Sequence, residues 1–203
     1  MKIILFPVCA ALLIGTTTAQ DLAGLYAPAP PPDSAFVRII NAAATPVSAT
    51  LGSKAATAPK AGISTYVVVP QGNMVAKVGT ASNTLTVVAG KFYSAVWNGK
   101  TFRLMTDVSA DDRAKAQLTV YNLSTRPVLD LKTADGQLSV VSGVKPGESG
   151  NRAVNGITVD LAVFNDSKAL ATFKGAALER GNAYAIVVTD SGSSMTVSRT
   201  TTR

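Results

Sequence analysis

The stretch Glu148-Ser149-Gly150-Asn151 is the one that suggests acyl transfer, and a serine used that way needs a base to take its proton. The chain of 203 residues contains no histidine and a single cysteine, Cys9. Ser-His-Asp and Cys-His catalysis are therefore excluded for this chain acting alone, as are the His/Cys ligand sets of zinc sites. Residues 148–151 are expected to be a polar loop. Asp107, Asp111 and Asp112 lack the Asp-x-Asx-x-Asx-Gly spacing of a calcium loop and read as a solvated linker. Asp160 and Asp166 flank a predicted strand and could be posed as the acid and base of a glycosidase, but paired carboxylates are too common to carry that assignment. No glycine-rich phosphate loop leads from a strand into a helix. The expected catalytic set, metal site and cofactor are all none.

The remaining candidates are for binding. Trp97, the sole tryptophan, lies with Tyr93 in a strand entering a hairpin. Exposed, the pair would stack on a sugar; buried, it would be core, and Tyr93 has a counterpart, Tyr184, that points to a shared structural role. Arg38 sits mid-strand at a core-facing register, where an arginine must pair or snorkel; a structural ion pair and a partner contact both satisfy that. The candidate partner or glycan contacts are Asp33, Arg38, Trp97 and Arg152.

The first nineteen residues have a secretory pattern: Lys2, an apolar run over residues 3–14, and small residues Thr17 and Ala19 before a cut at Gln20. Twelve apolar residues fall short of the roughly 20 that span a bilayer. Cleavage would remove Cys9 and leave a mature chain with neither disulfide nor thiol, stabilised by buried apolar surface alone. It would carry 18 Lys and Arg against 12 Asp and Glu, a net charge of +6, with no basic run of the kind that grips nucleic acid. A spread basic surface suits an anionic polymer, lipid headgroups or an acidic partner, and equally plain solubility.

Residues 20–35 form a proline-rich strap that cannot pair in a sheet. Short strands rich in β-branched residues follow, over residues 37–41, 47–51, 63–69, 74–78, 85–88, 92–97 and 102–104. Gly, Asn or Ser bounds them, and Asn98-Gly99 gives a type I′ hairpin signal. Seven strands at such intervals predict a β-sandwich over residues 36–108. Residues 109–116 break the pattern as a linker, where Ser109 and Asp112 allow one capped helical turn. A second sandwich is expected over residues 117–203, because the chain repeats itself. Asn41…Pro46-Val47 recurs as Asn122…Pro127-Val128, and Gly90-x-x-Tyr93 recurs as Gly181-x-x-Tyr184. The offsets of 81 and 91 place about ten extra residues in the second copy, assigned to a long loop over residues 143–155. The fold class is all-β, two tandem β-sandwich domains related by duplication.

Asp21-x-x-x-Leu25-Tyr26, the proline-rich strap and Asp33-Ser34-Ala35-Phe36-Val37-Arg38-Ile39-Ile40-Asn41-Ala42 together resemble the AlgF family of alginate biosynthesis proteins. Val120-Tyr121-Asn122, Arg152-x-Val154-Asn155 and Gly181-x-x-Tyr184 extend the resemblance across the mature chain. It implies a periplasmic accessory protein for O-acetylation of a secreted exopolysaccharide, alginate or a related polymer such as acetylated cellulose. Two sandwich domains would act without catalysis of their own, bridging the membrane acetyl-donor machinery and periplasmic acetyltransferases. The expected partners are those periplasmic and membrane components, with the anionic polysaccharide itself as a further possibility and no nucleic acid. The alternative from the residues alone is a pair of carbohydrate-binding modules. Any function peculiar to the first domain is expected at positions its repeat lacks: residues 33–35, and Arg38, where the second copy has Thr119.

Overall fold

A computed structural model describes residues 29–198, so the expected signal peptide and residues 20–28 of the strap lie outside the described residues. The secondary structure described there is entirely strand. In the first half these are β1 (Ser34–Asn41), β2 (Val47–Leu51), β3 (Lys54–Ala58), β4 (Val67–Pro70), β5 (Gly72–Val78), β6 (Ala81–Val87), β7 (Phe92–Trp97) and β8 (Phe102–Asp107). The second half has β9 (Ala116–Leu123), β10 (Leu129–Thr133), β11 (Ser139–Val144), β12 (Ser149–Val154), β13 (Ile157–Asn165), β14 (Lys168–Leu178), β15 (Ala183–Thr189) and β16 (Gly192–Ser198).

They form four sheets, with strand orders β4-β1-β7-β8 and β3-β2-β5-β6 in the first half and β12-β9-β15-β16 and β11-β10-β13-β14 in the second. The orders correspond strand for strand, including one parallel pair in each half, β1 with β7 and β9 with β15. The duplication therefore extends to the topology. Val37, Ile39, Tyr93, Ala95 and Trp97 of one sheet meet Leu51, Ala76, Leu85 and Val87 of the other in the first core. Leu118, Val120, Tyr184 and Ile186 meet Leu129, Leu131, Leu161 and Val163 in the second.

The repeated polar residues serve each domain alike. Asn41 is fully buried and donates through Nδ2 to the carbonyls of Thr45 (2.7 Å) and Pro59 (3.1 Å), while its Oδ1 accepts from Ala43 N (3.0 Å). Asn122 does the same with the carbonyls of Arg126 (3.1 Å) and Val144 (3.0 Å) and the N–H of Ser124 (3.2 Å). Each closes the turn that leads out of the first strand of its domain, meeting backbone groups that burial would otherwise leave unpaired. The Tyr93 hydroxyl accepts from Val88 N (3.2 Å) and that of Tyr184 from Glu179 N (2.8 Å). Each ties the strand to the corner five residues before it, the device known as a tyrosine corner in sandwich folds.

Several local expectations are corrected. Each half has eight strands: the missed one, Lys-Ala-Ala-Thr-Ala of β3, is poor in β-branched residues and is held by pairing along its whole length with β2. Of residues 63–69 only Val67–Val69 join a strand, while Ile63 makes a single bridge to Ile40. The helical turn at residues 109–115 is absent; Ser109 Oγ donates to Asp111 (2.6 Å), and Asp112 closes a turn by accepting from Ala114 N (2.9 Å). The β7–β8 hairpin closes over four residues, because the Asn98 side chain accepts from Lys100 N and Thr101 N, both at 2.9 Å. Only Gly99 of the Asn98-Gly99 pair has positive φ, so this is not the type I′ turn. Of the long loop expected at residues 143–155, residues 143–144 end β11 and residues 149–154 are β12. The extra length lies largely in the β13–β14 hairpin, whose strands have 9 and 11 residues against 7 and 7 in β5–β6.

Candidate functional site

Four central strands are buried on both faces: β1, β7 and β15 along their entire length, and β9 up to its last residue. One face of each supplies its own domain's core. The other meets the opposite domain, where Ile40 and Val96 pack with Tyr121, Ala185 and Val187. The two sandwiches are thus stacked sheet on sheet, and an alternating strand places Arg38, between the core residues Val37 and Ile39, on this second face.

The guanidinium of Arg38 is 1% exposed, at the centre of a polar cluster drawn from both domains. Its Nε donates to Ser94 Oγ on β7 (2.9 Å) and lies 3.5 Å from the carboxylate of Asp107, the last residue of β8. Nη2 donates to the Tyr121 hydroxyl on β9 (2.8 Å), and Nη1 to Ser198 Oγ on β16. Asp107 in turn accepts from Tyr66 (2.5 Å), Ser94 (2.6 Å) and Tyr121 (2.7 Å). The Tyr66 ring covers the guanidinium at 4.6 Å. The charge pair is enclosed by the hydroxyls that satisfy it, which is what a buried pair requires. Two further bonds cross between domains, Arg103 to the Gly147 carbonyl and Ser194 to the Ala61 carbonyl.

Burial raises the pKa of Tyr66 and Tyr121 well above the ordinary phenol value, against the opposing pull of Arg38. Both therefore stay protonated and keep donating to Asp107. For Arg38, burial works against the charge, but the oxygens of Tyr121 and Asp107 outweigh it and raise the pKa further. None of these three side chains is poised to exchange a proton near neutrality. Ser94 is the cluster's serine hydrogen-bonded to a carboxylate, yet it is fully buried, with its proton committed to Asp107 and its oxygen to Arg38. What the arrangement does is hold two domains in one orientation.

The four residues singled out from the sequence do not converge on one site. Arg38 forms the cluster just described. Trp97 lies on the opposite face of the same sheet, 6% exposed and packed on Phe102 at 4.8 Å inside the first core, so its ring offers no platform to a sugar. Asp33 is exposed in the turn before β1, its carbonyl accepting from Gln71 N (2.8 Å). Arg152 is exposed on β12 and makes long contacts from Nη1 to the carbonyls of Val140 (3.3 Å) and Ser139 (3.4 Å). Ser149 opens β12, paired with Tyr121, and is not in a loop. Sequence reasoning missed Tyr66, Ser94, Tyr121 and Ser198 as partners of Arg38 and put Asp107 in a solvated linker. The available signals were the arginine itself, which demands an acid when buried, and Tyr121, which stands where the first copy has Ile40.

Fold and site together define a tandem β-sandwich protein whose domains are locked through a buried arginine–aspartate cluster. The chain belongs to the AlgF family: residues 9–185 match the family model described as "Alginate O-acetyl transferase AlgF". It is 36% identical over 199 residues to alginate biosynthesis protein AlgF of Pseudomonas syringae pv. tomato, covering 94% of this chain and 88% of that one. It is 38% identical over 176 residues to the Pseudomonas fluorescens protein of the same name (85% and 80%). For that of Azotobacter vinelandii the identity is 35% over 179 residues (86% and 82%). Among solved structures, the C-terminal domain of AlgF from P. aeruginosa matches at 35% identity and TM-score 0.35, covering 41% of this chain and 96% of that one. Its N-terminal domain matches at 26% identity and TM-score 0.33, covering 41% and 100%.

Proposed function

We propose that the protein is a periplasmic scaffold for O-acetylation of alginate or a related secreted exopolysaccharide, contributing no catalytic group of its own. It would hold acetyl-donor and acetyltransferase components in one assembly. The names of its relatives motivate the pathway. The observation that carries the scaffold role is the spending of Arg38, Ser94 and Asp107 on the domain junction. They are polar residues borne on the central sheet of the first domain, and they are sealed and mutually satisfied. A chain without histidine, with its buried serine–carboxylate pair enclosed in this way, has the character of a rigid body that presents surfaces.

The test is genetic and biochemical together. Removing the protein from a producing cell should yield polymer without acetyl esters, and Ser149→Ala should restore acetylation as fully as the unaltered chain. The mature protein, beginning at Gln20, should be recovered from the periplasmic fraction. Transfer of acetyl groups from a chromogenic ester to polymannuronate by the purified chain alone would overturn the scaffold reading.

A further inference from the structure

Each sheet has two edge strands, and natural proteins blunt such edges with charge, proline, bulges or very short strands. β4 has four residues and ends in Pro70, and the pairings of β11 and β14 contain register irregularities. β3, β12 and β8 carry Lys54, Arg152, and Arg103 with Asp107. β6 is capped across the sandwich by Asn83, whose Oδ1 accepts from Phe102 N (2.9 Å). β16 carries neither charge nor proline in its seven residues, Gly-Ser-Ser-Met-Thr-Val-Ser, and pairs with β15 without a register shift; its bonds across the junction are made by two neutral side chains, Ser194 donating to the Ala61 carbonyl and Ser198 accepting from Arg38. Its counterpart in the first domain is the charged strand β8. Among the described residues no strand pairs with the outer edge of β16, which presents Val197, 53% exposed, where the register with Tyr184 aligns it with Thr106 of the first copy.

A crevice opens on each face of this edge. Toward the mouth of the second sandwich, one of about 370 Å³ is lined by Phe173, Lys174, Ala176, Tyr184, Met195 and Val197. Toward the first domain, one of about 460 Å³ lies between residues 63–66 and residues 196–198, with Arg38 at its floor. The charged residues lining the two are Lys174 and Arg38, with no acid among them. Asp107 already answers Arg38 from within, which leaves exposed Lys174 to set the sign at the rim.

We propose that β16 is the docking edge for an extended segment of a partner protein, which adds to the sheet as a further strand. An added strand satisfies the unpaired backbone groups of the edge, and its alternate side chains fall to opposite faces. Apolar side chains enter the crevice beside Phe173 and Met195, with an acidic one on the same face at the rim beside Lys174, and small ones face the interdomain crevice. The partner segment is therefore extended and net acidic, with apolar residues and one acid on the face toward the second sandwich and small residues on the other. The proposal rests on the scaffold reading above and names the surface that such a scaffold uses.

The test is fluorescence anisotropy of the mature chain with a labelled peptide alternating serine with valine, in which one outer valine is replaced by aspartate. Parallel peptides carry proline at the central valine or lysine for aspartate, and amide shifts are mapped by NMR. Saturable binding is expected, with shifts over residues 193–197 and 173–177. The proline and lysine peptides should bind at least about tenfold more weakly. Val197→Asp should weaken binding similarly, and Lys174→Glu should reverse the preference between the aspartate and lysine peptides. No saturable binding, equal binding of the proline peptide, or shifts confined to another edge would overturn the proposal. So would a dimer in sedimentation equilibrium that Val197→Asp dissolves, since a second copy would then occupy the edge. Any of these, with acetylation still dependent on the protein, removes the β16 edge and leaves the scaffold reading standing; acetyl transfer by the chain alone removes that reading whatever the peptide does.

Discussion

Replacing Arg38 by Met keeps much of the side-chain stem and removes the charge. The variant loses hydrogen bonds to Ser94, Tyr121 and Ser198 and leaves the Asp107 carboxylate, 1% exposed, without a countercharge. Breaking a buried ion pair in this way costs about 3–5 kcal/mol. The three hydroxyls that still donate to Asp107 soften the loss toward the lower end, about 3 kcal/mol by the same principle. For two domains of this size unfolding together each kcal/mol lowers the melting temperature by roughly 2–4 °C, so Arg38→Met should melt roughly 6–12 °C lower. Trp97, the only tryptophan, lies in the first core, so its fluorescence reports that domain alone while far-UV circular dichroism reports both. The unaltered chain should show coincident transitions, as two domains sharing an apolar and charged junction unfold together. In Arg38→Met the Trp97 transition should move first and separate from the circular dichroism, because the second core contains none of the lost contacts. Adding Asp107→Asn to Arg38→Met should recover part of the loss, since it removes the stranded charge. A shift of less than about 1 kcal/mol, the size of an ordinary surface ion pair, would refute the argument. Additive costs in the double variant would refute its electrostatic half.

Asn41→Ala and Asn122→Ala should each cost about 1–3 kcal/mol in urea unfolding, because each strands buried backbone carbonyls; a large cost in one copy and none in the other would show that the repeat does not do the same work twice. Stability should also fall at alkaline pH. The folded-state pKa of Tyr66 and of Tyr121 is raised above the ordinary value of about 10. Their contribution is therefore complete below pH ~10 and declines above it, by up to about 1.4 kcal/mol per pH unit for each tyrosine. Tyr121→Phe should be less stable at neutral pH and lose stability less steeply above pH ~10, and an unchanged slope in denaturant titrations would contradict the assignment.

The duplication was legible because the repeated residues meet needs that every copy of the domain has by itself. Asn41 and Asn122 close the same turn, and Tyr93 and Tyr184 tie the same corner, so their spacing survives in both copies. The junction between domains was not legible from the pattern of β1 or β15, since a continuous apolar run shows that both faces are covered without showing by what. Ser94 and Ser198 have no signature as single residues, and Asp107 was taken for part of the linker because it is the last residue of its strand. Arg38 alone announced a missing partner, and the partner's position depended on which edge of the sheet β8 joins.

The same reasoning turns the failures of the repeat into information. When two copies of one domain pack against each other through the same sheet, identical residues would oppose like with like, and two buried arginines could not be satisfied. The copies must diverge there. Position 38 is Arg where the second copy has Thr119, and position 40 is Ile where the second has Tyr121; Arg38 and Tyr121 are the residues that reach across. Divergence at β8 and β16 has the opposite consequence. β8 carries two charges, Arg103, bonded across the junction to the Gly147 carbonyl, and Asp107, in the charged cluster. β16 carries none and crosses the junction only through the neutral Ser194 and Ser198. An edge kept open in one copy and sealed in its duplicate is a difference that folding alone does not require, and it is where a partner has the most to gain.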